Sequence, residues 1–182
     1  MAENLGKKDK VWIIDAEKLK NTEDIRQELK GQPLNLDYLA QINIIYKKLD
    51  GKEENEELEK IVKERNYVSR DIMEIGKNVT ENYEQFTQKF KIEHLHMDEE
   101  IRYIVGGSGY FDVRGKQDEW VRILVEKGDF IILPEGIYHR FTTDTNDYIK
   151  TMRIFQAEPK WTAYNRPCDD NESRIRYLKS LA

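Results

Sequence analysis

The sequence predicts a mainly β protein, a sandwich or small barrel, with a helical part in front of it and a short helix behind. Three observations lead there. From Lys91 onward the chain is a series of short apolar or aromatic runs: Ile101–Val105, Tyr110–Val113, Trp120–Val125, Phe130–Leu133, Arg140–Thr142 and Tyr148–Phe155. Turn signals separate them, at Gly106-Gly107-Ser108-Gly109, Gly115, Gly128-Asp129, Pro134-Glu135-Gly136 and Asp144 to Asp147. The chain has 3 histidines, and all fall inside this β region, in the stretches His94–Gly107 and Gly128–His139.

The remaining elements follow in order. Val11–Ile14 is short, apolar and β-prone, and reads as a strand after a loose tail over residues 1–10. Residues 17–33 are charged and end in Gly31-Gln32-Pro33, which predicts loop with some helix. Asn35 has the chemistry of an N-cap. Tyr38, Leu39, Ile42, Ile45, Tyr46 and Leu49 follow at spacings of three and four, which predicts an amphipathic helix ended by Asp50-Gly51. Residues 54–65 predict an exposed helix with Leu58, Ile61 and Val62 as its apolar face and Glu59 paired to Lys63 one turn on. Two further helices are expected at 71–78 and 81–89, and one at 172–181. With 182 residues and no internal repeat, a single domain over 1–182 is expected, divided into a strand-plus-helix part (1–90), a barrel core (91–160) and a C-terminal segment (161–182).

Composition narrows the function. The net charge of −5, without a basic stripe, argues against a nucleic-acid partner. No apolar run approaches the roughly 18 residues of a membrane span, and the N-terminus is polar, so neither membrane insertion nor secretion is expected. Cys168 is the only cysteine, which suits a reducing compartment: the cytoplasm, with the nucleus open to so small a chain. A monomer is the default, and any regulatory protein partner is unidentified.

The histidines carry the chemistry. His94 and His96 are two apart, so on a strand they share a face with Leu95 opposite; Glu100 and Arg102 share that parity if the strand resumes in register after Met97-Asp98. His139 must arrive from another strand. Three imidazoles and one carboxylate form a mixed N/O set that suits iron(II), nickel(II) or manganese(II), and on an octahedral ion it leaves two adjacent positions open. A lone histidine, or an HxH pair, is unremarkable by itself; the glutamate at this offset and the third histidine after Pro134-Glu135-Gly136 make the metal site the better reading.

This combination resembles the cupin superfamily, a double-stranded β-helix or jelly-roll barrel. Its first motif, HxHxxxExxxxxxG, matches His94, His96, Glu100 and Gly107, and its second, GxxxxxPxGxxHxxxN, matches Gly128, Pro134, Gly136 and His139, with Thr143 at the final position. The words around the motifs are similar to the acireductone dioxygenase family: residues 93–103, 107–114, 133–141 and 161–167. The resemblance runs from about Tyr46 to the C-terminus, and the first 33 residues match poorly. It implies a metal-dependent enzyme of methionine salvage that cleaves 1,2-dihydroxy-3-keto-5-methylthiopentene with O2. An Fe2+ form would give 4-methylthio-2-oxobutanoate and formate; a Ni2+ form would give 3-methylthiopropanoate, formate and carbon monoxide. Co2+ or Mn2+ would also fit in vitro.

Under that resemblance His94, His96, Glu100 and His139 hold the metal, Arg102 hydrogen-bonds a substrate oxygen, and Phe90 and Phe141 line the substrate pocket. Glu99, on the opposite parity, is a weaker candidate for a proton acceptor, and Glu93, Tyr138 and Arg140 are read as supporting residues. Residues 161–167 are expected to pack across the barrel. Two other readings stay open: a zinc or manganese sugar isomerase, and a metal-stabilised binding module. Arg102 and the apolar lining disfavour the isomerase, because a sugar pocket needs more amides and carboxylates. The complete ligand set disfavours the binding module.

Overall fold

The computed structural model describes residues 8–159 and 162–182. Its elements in chain order begin with β1 (Val11–Ile14), α1 (Ala16–Lys20), β2 (Lys30–Leu34), α2 (Tyr38–Gln41), β3 (Ile45–Lys48), α3 (Glu56–Glu64), β4 (Ser69–Gly76) and α4 (Tyr83–Gln88), which runs into a 3-10 turn at Lys89–Lys91. The second half contains β5 (His94–Leu95), β6 (Glu100–Arg114), β7 (Trp120–Glu126), β8 (Asp129–Leu133), β9 (His139–Thr143), β10 (Tyr148–Phe155), β11 (Tyr164–Asn165) and α5 (Glu172–Ser180). No helix among the described residues is long and apolar enough to cross a membrane.

The strands form two antiparallel layers that share β6. One runs β2-β1-β7-β6-β9-β5-β11; the other runs β3-β8-β6-β10-β4. Residues Glu100–Tyr103 of β6 pair with β8, and Ile101–Gly107 pair with β10. After Gly107, Ser108–Arg114 pair with β7 and Gly109–Val113 with β9. Gly107 makes the crossing feasible: its φ is +67°, and a Cβ there would collide with the Tyr148 carbonyl. The two expected strands 101–105 and 110–113 are therefore one long strand bent at the glycines. The pairing does not close into a ring, so the jelly roll is open.

Alternation along β6 sorts the side chains. Ile104, Phe111 and Val113 enter a core between the layers with Ile123, Val125, Ile131, Leu133 and Ile149. Ile101 and Tyr103 face the other way, into a second cluster with Phe130, Ile132, Met152 and Ile154, covered by Leu58 and Ile61 of α3. The helix expected at 54–65 is there, with Asn55 capping Leu58 N–H. Burial of Leu58 contributes roughly 1.5–3 kcal/mol. Glu59 pairs with Arg70 of β4 rather than with Lys63, which ties the helix to the sheet.

Three expectations need correction. The helix predicted after Asn35 survives only as α2; Asn43 has φ +62°, and Ile45–Lys48 pairs with β8 as an edge strand. The helix predicted at 71–78 is β4, paired along its length with β10. Within 17–33 a helical turn is present, but Lys30–Leu34 pairs with β1 despite Pro33; β2 is the outermost strand, where a missing N–H is tolerated.

Candidate metal centre

The site lies where β5, β6 and β9 meet. His94 is the register partner of His139 across β5 and β9, and Glu100 opens β6. Leu95, on the opposite face from His94, is fully buried and pins the short strand. One ligand atom from each of His94, His96, Glu100 and His139 lies within 4.8 Å of the others. The Nε2 atoms of His94 and His96 are 3.2 Å apart. Glu100 Oε2 is 3.0 Å from His139 Nε2 and 3.2 Å from His96 Nε2.

The outer ring nitrogens explain this geometry. His94 Nδ1 donates to the Ile92 carbonyl at 2.7 Å, His96 Nδ1 to Thr162 at 2.9 Å, and His139 Nδ1 to Ile137 at 3.0 Å. A neutral ring that donates through Nδ1 presents a bare lone pair at Nε2. Three such lone pairs and a carboxylate oxygen converge on one point and repel one another unless a cation lies between them. The donor set therefore fits a metal cation.

Charge in the surroundings agrees at His94. Burial, with His139 beside it, pushes the His94 pKa down to about 4, so the ring is neutral at physiological pH. Burial pushes His96 the same way, but its hydrogen bond to Glu100, the Glu100 charge and the Thr162 carbonyl together raise it. Glu100 is buried, which favours its neutral form, yet Arg102 and His139 hold its carboxyl well below the usual range. Arg102 Nη2 is 3.3 Å from Glu100 Oε1, and its Nη1 donates to the Ile101 carbonyl at 3.0 Å. Burial lowers the Arg102 pKa.

A pocket of ≈530 Å³ opens over this cluster, lined by the four residues, Arg102, Phe90 and Phe141 among others. Phe86 stacks edge-on against Phe90 with centroids 5.3 Å apart, and Phe111 packs on Phe141 at 5.0 Å. Behind Arg102 a further void of ≈50 Å³ is walled by Met73, Ile75, Ile104, Ile149, Phe90 and Phe141. Strand parity brings Arg102 and Phe141, and the 3-10 turn brings Phe90, to one cavity. Sequence reasoning missed Phe86, Met73, Arg153 and Phe155, which also line it. The alternation of Thr151, Arg153 and Phe155 along β10 was a usable signal; Met73 was hidden by the helix expected at 71–78.

The supporting residues sort differently. Glu99 lines the pocket but accepts hydrogen bonds from Arg65 and Tyr67, both at 3.0 Å. Glu93 receives Arg114 at 2.8 Å and Arg166 at 2.9 Å; burial opposes its ionisation, but the two guanidinium groups hold its pKa below the usual range. Tyr138 donates to Asp169, and Arg140 pairs with Asp112 on the far side of the sheet. Trp161 lies outside the described residues; Tyr164 and Asn165 pair with Leu95 and His94, so this segment joins the sheet as a strand next to the site. Gly136 N–H donates to the His96 carbonyl at 2.9 Å, while Ser173 packs so closely on Gly136 that a Cβ would not fit.

A profile of the ARD/ARD' family matches residues 10–163, so the likeness begins well before Tyr46. An acireductone dioxygenase of Branchiostoma floridae is 56% identical over 150 residues, 82% of this chain and 85% of that protein. The acireductone dioxygenase of Homo sapiens is 56% identical over 154 residues, 84% and 86% of the two chains. A solved structure described as acireductone dioxygenase from Bacillus anthracis with a cadmium ion in its active centre superposes with a TM-score of 0.68. It is 23% identical and shares the fold over 85% of this chain and 96% of that one. With identity this high over most of its length, and a family match over most of the same residues, the chain belongs to the ARD/ARD' family.

Proposed function

We propose that this chain is an acireductone dioxygenase that cleaves 1,2-dihydroxy-3-keto-5-methylthiopentene with O2 in methionine salvage. The observation that carries the reading is the convergence of three Nδ1-anchored imidazoles and a carboxylate at one end of a pocket whose far wall is aromatic. His94, His96, Glu100 and His139 would hold the metal, iron(II) in the reading we favour and nickel(II) as the alternative. When bound, the ion would supply Lewis acidity that keeps an enediol substrate deprotonated.

The chain's own residues do the rest. Arg102 is a cation on the pocket wall beside Glu100, where its N–H groups can meet a substrate oxygen and stabilise negative charge. Phe90 and Phe141, with Phe86 and Met73, offer an apolar wall to the methylthioalkyl tail, and the void behind Arg102 extends that wall inward. The Nδ1 hydrogen bonds hold each imidazole to the tautomer that turns a free Nε2 to the metal position. We infer a single domain, since the two layers share β6 and each supplies part of the site; a monomer is the default reading. One cysteine and a net charge of −5 support a cytoplasmic protein with no nucleic-acid partner.

The test is a product assay on metal-defined protein. Apo protein reloaded with iron(II) and supplied with acireductone and O2 is expected to yield 4-methylthio-2-oxobutanoate and formate. Nickel(II) is expected to yield 3-methylthiopropanoate, formate and carbon monoxide. Turnover no faster than autoxidation of the substrate, with either ion seated, would overturn the reading.

A further inference from the structure

A row of three charged residues crosses the inner face of the second layer. Asp71 on β4 is the register partner of Arg153 on β10, and Arg153 is the register partner of Arg102 on β6. Register partners on neighbouring strands share a face, and both arginines line the pocket. Arg153 donates from Nε at 2.7 Å and from Nη2 at 2.6 Å, one bond to each oxygen of Asp71. This is the strong, two-pronged arginine–carboxylate pairing. Arg102 donates to the Ile101 carbonyl at 3.0 Å, but its hold on a carboxylate is looser: its contact with Glu100 is 3.3 Å, long beside the roughly 2.7–2.9 Å of a tight charged hydrogen bond.

Strands two apart are separated by about 10 Å, which an arginine and an aspartate side chain can span between them. Asp71 is thus a competitor for Arg102, and Arg153 stands between them. We propose that Arg153 is a positioning residue: by engaging Asp71, it prevents that carboxylate from capturing Arg102 and so keeps the Arg102 guanidinium beside Glu100. The consequence for turnover rests on the dioxygenase reading above; the consequence for the position of Arg102 does not.

The test uses Arg153→Gln and the double variant Asp71→Asn/Arg153→Gln, each as full-length metal-loaded protein. A crystal structure of Arg153→Gln is expected to show Arg102 swung to the Asp71 carboxylate. Its kcat/KM is expected to fall about tenfold, the cost of one misplaced charge–charge contact, with metal content and melting temperature held. The double variant removes the competitor and is expected to return to within about threefold of wild type. Arg102 still beside Glu100 in Arg153→Gln would overturn the inference, and so would a double variant as slow as the single one. Wild-type protein without turnover, alongside a swung Arg102, would instead bring down the catalytic reading and leave the inference standing.

Discussion

Two buried polar clusters lie on opposite faces of the same sheet, and they are built on opposite logic. On the outer face Asp112 is almost wholly buried, and its oxygens accept from Arg122 Nε at 2.7 Å, Arg122 Nη2 at 2.8 Å and Arg140 Nε at 2.8 Å. Arg122 also donates to the Gln27 carbonyl and stacks on Tyr110, while Arg140 stacks on Trp120. Donors there meet acceptors, except that Arg140 Nη2 is buried without a hydrogen-bond partner among the described residues. Between the layers, His94, His96, Glu100 and His139 aim acceptor at acceptor. Their outer nitrogens are anchored as carefully as any structural histidine, yet the inner atoms face one another, with Arg102 reaching Glu100 Oε1 at 3.3 Å. Buried polarity by itself says little about function; whether a cluster satisfies its own charges separates a staple from a receptor.

The largest expected effect breaks the receptor. His96→Ala removes one donor of four and should lower metal affinity by more than about 100-fold, the upper range for losing a mere supporting contact. Elemental analysis after dialysis checks this, and a variant that retains stoichiometric metal would remove His96 from the donor set. The unfolding transition of the unloaded variant should stay near that of unloaded wild type, because the receptor is not what holds the fold.

The converse change breaks the staple. Asp112→Ala leaves two buried guanidinium groups without an anion and should cost about 3–5 kcal/mol in denaturant unfolding. Metal affinity of whatever remains folded should be unchanged. Equal losses of stability and metal binding would erase the distinction between the clusters.

A smaller effect sharpens the boundary between them. Glu93 precedes His94 and is a staple in the same sense, gripped by Arg114 and Arg166. Its pKa is lower in the folded chain than in the unfolded one. The unfolded state therefore binds the proton first as pH falls. The stabilisation is present above about pH 4.5 and is lost on further acidification through the folded pKa. Glu93→Gln should cost about 1–2 kcal/mol at neutral pH and flatten the acid limb of the stability profile below pH 4.5. An unchanged acid limb would show that Glu93 contributes nothing through ionisation.

What the sequence determined by itself is the local chemistry. The strands from β6 to β10 were legible because turn glycines and short β-prone apolar runs are properties of neighbouring residues, as were α3 with its Asn55 cap and α5. Parity paired His94 with His96 and Glu100 with Arg102, and put all four on one face on the condition that register resumes after Met97-Asp98. Tertiary structure decided the rest. Ile45–Lys48 and Ser69–Gly76 carry spacings that a helix could use, and became strands only because β8 and β10 offered them unpaired edges. The approach of His139 to His94, the Thr162 carbonyl behind His96, and the row Asp71–Arg153–Arg102 all join residues far apart in the chain. No local pattern encodes such meetings, because they depend on register across strands, and register is settled by the whole core at once.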